Sequence, residues 1–114
     1  MRVDNLSRGV VLVEDGEVAS TLLARARGLL GHAPLRAGQG MHITPCRSIH
    51  TWFMAFAIDV VFVDGGNRVV HLISDMRPGR VSPHVRAARS VLELPSGALA
   101  VSGTQIGDQL IIGP

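Results

Sequence analysis

The segment from Cys46 to Asp64 reads CRSIHTWFMAFAIDVVFVD, and it constrains the fold most because it holds the only tryptophan and all three phenylalanines. Aromatic side chains are the largest apolar groups that a chain can bury, so this segment is predicted to form the centre of the core. Polar groups are costly to bury in such a place. His50, Thr51 and Asp59 are therefore expected either to find hydrogen-bond partners or to line a site.

The pattern of apolar residues predicts a mainly β fold. Residues 58–63 are apolar except for Asp59, which is typical of a strand buried on both faces, and the sequence Asp-Gly-Gly-Asn at 64–67 predicts a tight turn after it. Further strands are predicted at 10–13, around Val18, and at 40–44, 51–54, 68–73, 89–94 and 109–112, while 98–102 is an ambiguous turn of helix. These seven or eight short strands predict one domain, a compact sandwich or partly open barrel, with one packed α-helix.

The packed helix is predicted to follow Ala19. Ser20 or Thr21 is expected to cap its first turn, and Gly31 is expected to end it. The apolar residues recur with helical spacing, and those expected to face the sheet are Leu22, Ala26 and Leu29. At about 100° per residue, Arg25 and Arg27 fall on opposite flanks of this stripe.

The charge composition argues against a nucleic-acid partner. The 114 residues include eleven arginines, no lysine and nine acidic residues, so the formal net charge is only +2. The calculated pI near 10.0 arises because few other groups titrate, and the arginines are scattered without interleaved aromatic residues. The single cysteine cannot form an internal disulfide, and no apolar run is long enough for a membrane span or a signal-peptide core. We therefore expect a cytoplasmic protein with no membrane partner.

Four potential soft or imidazole ligands stand at equal spacing, at His42, Cys46, His50 and Met54, and such a set suggests copper. Four residues of a strand span about 13 Å, however, and only a sharp turn at Pro45 would bring two of them together. A thiolate–imidazole pair of Cys46 and His50 is an alternative, but no third orienting residue is evident. No phosphate-binding glycine loop, metalloprotease helix or nucleophile elbow is present. We expect neither a metal site nor a cofactor.

Asp59 is a single carboxylate within an otherwise apolar strand. A buried carboxylate needs a cationic partner or several backbone donors. The favoured interpretation is an ion pair with a helix arginine. Arg25 is the preferred partner, because Gly28 leaves room for a close approach, and Arg27 is the alternative. A carboxylate that lines a site is the competing interpretation.

An ordered series of short motifs extends from about Ala19 to the C-terminus. They are RARGLL at 25–30, GM at 40–41, SIHT at 48–51 with Met54, IDVVFVD at 58–64, LELP at 92–95 with Gly97, and GD at 107–108. On these motifs the chain resembles the domain of unknown function 192 family, which is uncharacterised. Members usually have an acidic residue and a methionine where this chain has Ala24 and Leu30. The resemblance implies a compact, sandwich-like, mainly β fold with one helix, and it implies no established activity.

The leading hypothesis for function is a binding or accessory module with a polar pocket. Its candidate ligand-binding residues are His50, Thr51, Asp59, Arg25 and Arg27, and its partner would be a small molecule or a protein. One alternative is a small hydrolase or lyase with His50 as general base. A second alternative is a structural protein-interaction module with an exposed apolar patch. The sequence does not distinguish among these three, and it leaves catalytic residues and the oligomeric state open.

Overall fold

The computed structural model describes residues 1–21, 24–25 and 28–114, and in them it contains eight strands and one short helix. The elements are β1 (Arg2–Asn5), β2 (Val10–Val13), β3 (Asp15–Ala19), β4 (Gln39–Ile43), β5 (Ile58–Val63), β6 (Val69–Met76), β7 (Ser90–Pro95), α1 (Ala98–Ser102) and β8 (Leu110–Gly113). No helix among these residues has the length and apolar character needed to span a membrane. The predicted mainly β fold is confirmed.

The strands form two sheets that do not close into a barrel. The small sheet has the order β2-β1-β8, and the large sheet has the order β3-β4-β7-β5-β6. All neighbouring strands are antiparallel except the parallel pair of β3 and β4. Strand β7 lies at the centre of the large sheet, where Glu93 is opposite Met41 on one side and Val60 on the other.

The large sheet is buried on both faces. Because side chains alternate along a strand, Val61 and Leu92 point towards the small sheet, while Val60 and Val91 point to the opposite face. On that opposite face the sheet is covered by residues that precede and follow β4, including Leu29 and Met54 in the core, and by the segment that connects β6 to β7. The described residues thus form three layers, and the third contains the loops at 45–57 and 77–89.

Three local predictions need correction. Residues 51–54 form a turn and not a strand, because Thr51 is held by hydrogen bonds to the loop that follows β6 and Phe53 has a positive φ of 64°. Strand β1 was not predicted, since its alternation of polar and apolar residues is short and is broken by a bulge. The ambiguous segment 98–102 is helical.

The start of the helix predicted after Ala19 is confirmed. The hydroxyl of Thr21 accepts a hydrogen bond of 3.1 Å from the amide of Ala24, which is the geometry of an N-cap. The amides of Arg25 and Gly28 donate to the carbonyls of Thr21 and Ala24, each at 2.9 Å, as in an α-helix. Ala24 and Arg25 are therefore helical, and Leu29 is buried against the sheet as predicted.

The predicted end of this helix at Gly31 is too late. Gly28 already has a positive φ of 49°, and residues 28–31 form a turn, so the helical conformation stops before Gly28. The predictions that concern Leu22, Leu23, Ala26 and Arg27 fall outside the described residues.

Candidate functional site

A groove with a volume of about 490 Å³ opens on the loop-covered face of the large sheet. Its floor is formed by β4 and β7. One wall is formed by Arg25 and residues 28–30, and the other by the segment from Pro45 to Met54. Its polar lining residues are Arg25, Cys46, Arg47, Ser48, His50, Arg89 and Glu93. This volume falls within the range of small-molecule sites, which extends from about 300 to 1,000 Å³.

The second wall is held in place by the segment that leads into β7. The amide of Ile49 donates to the hydroxyl of Ser82 at 2.8 Å, and the amide of Ser82 donates back to the carbonyl of Ile49 at 2.9 Å. Nearer the floor, the amide of Cys46 donates to the carbonyl of Arg89 at 2.9 Å. A segment without regular secondary structure is thereby fixed along its length.

Thr51 completes this attachment and does not line the groove. It is fully buried, and its hydroxyl donates to the carbonyl of Arg77 at 2.6 Å and accepts from the amide of Arg80 at 2.9 Å. Its carbonyl also accepts a hydrogen bond from the amide of Gly79. Thr51 therefore serves to tie two loops together.

The mouth of the groove carries aromatic groups. His50 is exposed, and its ring lies 5.0 Å from that of Trp52 with an interplanar angle of 31°. The backbone of His50 forms a β-bridge with Val81. Trp52 is half exposed, and the neighbouring Phe53 is 88% exposed at the tip of the turn. An aromatic rim thus borders a polar interior.

Glu93 lies at the floor of the groove and is its most unusual residue. It is only 3% exposed, and it occupies the face of β7 that also bears Val91. None of the residues that the structure describes donates a hydrogen bond to its carboxylate, and none forms an ion pair with it. Burial raises the pKa of Glu93 to about 7, because the ionised form loses hydration without compensation.

Arg25 stands on the wall formed by the helical turn. Its Nη1 donates to the carbonyl of Pro45 at 3.2 Å, which positions the guanidinium across the groove. Its Nε–H is buried and has no hydrogen-bond partner among the residues that the structure describes. Unpaired buried donors are rare in folded proteins, so this Nε–H is a candidate donor to a bound acceptor.

Cys46 lies close to both of these charged groups. Burial raises the pKa of its thiol, and Sγ donates a hydrogen bond of 3.1 Å to the carbonyl of Ser48. The charge of Glu93 also raises this pKa, and the charge of Arg25 lowers it. The sulfur is therefore a neutral thiol near neutral pH, located within the influence of a carboxylate and a guanidinium.

Asp59 does not join the groove, because it lies on the opposite face of the large sheet. Its Oδ1 accepts from the amide of Asp75 at 2.8 Å, and its Oδ2 accepts from the amides of Gly97 at 3.1 Å and Leu99 at 2.9 Å. Both carboxylate oxygens are thus satisfied by backbone donors. The predicted ion pair with Arg25 is wrong, and the alternative with Arg27 falls outside the described residues.

The structure therefore brings together only part of the predicted pocket. Arg25 and His50 line the groove, Thr51 is buried behind its wall, and Asp59 is on the other side of the sheet. Glu93 was missed. The sequence does contain a signal for it, since Glu93 stands between two leucines in a strand, the same pattern that drew attention to Asp59.

The four equally spaced candidate ligands are not gathered at one point. His42 lies on β4 between Met41 and Ile43, which both face the groove side, so its ring points to the opposite face of the sheet from Cys46. Its Nε2 is buried and has no hydrogen-bond partner in the described part of the chain, and burial lowers the pKa of His42. Over residues 1–21, 24–25 and 28–114, no three His, Cys, Asp or Glu side chains are arranged to hold a metal ion.

Comparison with known sequences shows a match across nearly the entire chain. Residues 5–112 match the model of the domain of unknown function 192 family, described as an uncharacterized ACR. The chain is 31% identical to a UPF0127 protein of Pyrococcus abyssi over 115 residues, which covers 93% of this chain and 92% of that protein. It is also 31% identical to a UPF0127 protein of Thermococcus sibiricus, and this match covers 93% of this chain and 71% of that protein.

Comparison with solved structures shows that the fold is shared more widely than the sequence. A protein of unknown function from Novosphingobium aromaticivorans superimposes with a TM-score of 0.84 at 24% identity, covering 97% of this chain and 82% of that one. A protein from Sinorhizobium meliloti superimposes with the same TM-score at 20% identity, covering 96% of this chain and 89% of that one. At these identities the likeness concerns the fold alone.

Proposed function

The chain belongs to the domain of unknown function 192 family, and from the geometry of its groove we propose that it is a binding module for a small organic anion. The observation that carries this proposal is the buried Glu93 carboxylate, which lies at the groove floor without a partner among the described residues. A buried carboxylate without a partner lowers the stability of the fold. A role in ligand recognition accounts for its presence.

The charges around the groove favour an anion. Arg25, Arg47 and Arg89 line it, and Glu93 is the carboxylate among its lining residues. Arginine is suited to carboxylates and phosphates, because its planar guanidinium presents several donors in a fixed arrangement. The apolar lining residues, which include Leu29 and Met54, would contact the body of the ligand.

The proposal can be tested with 3-phenylpropionate, a small aromatic carboxylate, near pH 6, where Glu93 is protonated. Trp52 is the only tryptophan and Cys46 the only cysteine, and both line the groove, so the chain contains two natural reporters. We expect a saturable change in tryptophan fluorescence and a slower alkylation of Cys46 by iodoacetamide at the same ligand concentrations.

Arginine variants provide the matched comparison. Arg25→Gln should weaken binding by about tenfold or more, since a hydrogen bond to a charged group contributes about 1.5–3 kcal/mol. Arg86→Gln, which alters an exposed arginine outside the groove lining, should bind like the wild type. The proposal is wrong if neither reporter responds to the carboxylate, or if the two variants are affected equally.

A second candidate function is proton transfer by Glu93 in a small hydrolase or lyase. A general acid or base is most effective when its pKa is near the working pH, and burial raises the pKa of Glu93 to about 7. This makes Glu93 a better candidate base than the exposed His50. Turnover of chromogenic esters that is lost in Glu93→Gln but kept in His50→Gln would support this function, whereas loss in His50→Gln alone would contradict it.

A further inference from the structure

We propose that the ligand of this groove is a zwitterion of the amino-acid class, whose ammonium group pairs with Glu93 and whose carboxylate pairs with Arg25. The inference rests on the proposed function, because it assumes that the groove binds a small anion. It adds the requirement for a second, cationic group on the same molecule.

The requirement for an ammonium group follows from the surroundings of Glu93. Its carboxylate offers two acceptor oxygens, and no described residue supplies a donor to either of them. Gly28 lies beside this carboxylate at the groove: a Cβ built on Gly28 would be in van der Waals contact with Oε1 of Glu93, at 3.8 Å. An ammonium carries three donors and a positive charge, so it would satisfy this carboxylate more fully than a neutral hydroxyl would.

The requirement for a carboxylate follows from Arg25. One end of its guanidinium donates to the carbonyl of Pro45, and no described residue supplies an acceptor to the buried Nε–H. A carboxylate can take two parallel hydrogen bonds from a guanidinium, which gives both affinity and orientation. A small shift of the Arg25 side chain would present Nε to such an oxygen.

Arg25 and Glu93 line the same groove, and they form no ion pair with each other. Gly28 also lines the groove, and a Cβ built on it would lie 3.8 Å from Oε1 of Glu93 and 3.9 Å from the carbonyl oxygen of Arg25. The ligand would place its ammonium and carboxylate groups between these two residues. Its side chain would extend along Ile43 and Met54 towards Trp52 at the mouth.

The pH dependence of binding follows from the same geometry. Glu93 must be ionised to pair with an ammonium, and burial raises its pKa to about 7, so affinity should increase from pH 6 to pH 8. Among the described residues, the other charged groups that line the groove are Arg25, Arg47 and Arg89. Cys46 and His50 are the remaining titratable groups there, and comparison with Glu93→Gln separates their effects from that of Glu93.

The experiment compares phenylalanine with two analogues that each lack one charge, 3-phenylpropionate and phenethylamine. Binding is measured at pH 8 and pH 6 by calorimetry and by Trp52 fluorescence. At pH 8 we expect phenylalanine to bind at least tenfold more tightly than either analogue. Glu93→Gln should bind phenylalanine no more tightly than 3-phenylpropionate. Arg25→Gln should bind phenylalanine no more tightly than phenethylamine.

The outcomes separate this inference from the proposed function. If 3-phenylpropionate binds but phenylalanine binds no more tightly at pH 8, the zwitterion is excluded and the anion-binding function stands. If phenethylamine binds as tightly as phenylalanine, the carboxylate has no role and the inference is overturned. If none of the three binds, both proposals fail. Circular dichroism and urea titration of each variant confirm that it is folded.

Discussion

Replacing Glu93 by glutamine is expected to stabilise the protein by about 3 kcal/mol above pH 7, which is unusual for a substitution at a buried position. The folded state holds the Glu93 proton more tightly than the unfolded state, because burial raises its pKa from 4.5 to about 7. The wild type should therefore keep its full stability below about pH 4.5 and lose about 3 kcal/mol as the pH rises through 7. Glutamine resembles the protonated acid and does not titrate.

Urea titrations at pH 4.5 and pH 8.5 would measure this effect. The variant and the wild type should have similar free energies of unfolding at the lower pH and differ by about 3 kcal/mol at the higher pH. Glu14→Gln makes the same change on an exposed side chain. Its free energy of unfolding should change between pH 4.5 and pH 8.5 by the same amount as that of the wild type. The prediction is wrong if the free energy of unfolding depends on pH in the same way in the wild type and in Glu93→Gln, because the folded protein would then compensate the charge of Glu93.

The opposite result is expected at the other buried carboxylate. Asp59→Asn should lower the free energy of unfolding by about 3 kcal/mol, since hydrogen bonds to charged groups contribute about 1.5–3 kcal/mol each and an unpaired buried donor adds to the cost. In the wild type both oxygens of Asp59 accept from backbone amides. An asparagine must turn its NH₂ group towards at least one of these donors, whichever way it is oriented.

Asp64 provides the control for Asp59. It also accepts two backbone hydrogen bonds, from Gly66 at 3.0 Å and Arg68 at 2.9 Å, but both go to Oδ1. Asparagine at position 64 can keep its oxygen in that place, so Asp64→Asn should cost less than about 1 kcal/mol. Equal losses for Asp59→Asn and Asp64→Asn would mean that the backbone donors around Asp59 do not determine its contribution.

Much of the fold was predictable because the strands carry their own patterns. The apolar run of β5 and the Asp-Gly-Gly-Asn turn after it are local signals, and the structure confirms both. The turn at 51–54 was not predictable in the same way. Its β-branched and aromatic residues favour a strand, but bonds from Thr51 to a loop almost thirty residues away impose a different conformation.

The site was only partly predictable for a related reason. The sequence shows that Asp59 and Glu93 each stand alone in an apolar strand, but it does not show which of them finds donors. The donors for Asp59 come from the bulge near Asp75 and from the first turn of α1, which only the folded chain brings to it. Within residues 1–21, 24–25 and 28–114, no segment supplies such donors to Glu93. The difference between a satisfied carboxylate and an unsatisfied one is therefore a property of the tertiary structure.

The three-layer arrangement also bears on how proteins of this architecture can diversify. Only one side of the large sheet borders the groove, while residues such as Val61 and Leu92 on the other side pack against the small sheet. Effects of substitutions that share no neighbours usually add. A substitution in the groove wall and a substitution under the small sheet should therefore change the free energy of unfolding independently. The central sheet separates the surface of the groove from the part of the core that the small sheet covers, so each can vary in sequence without affecting the other.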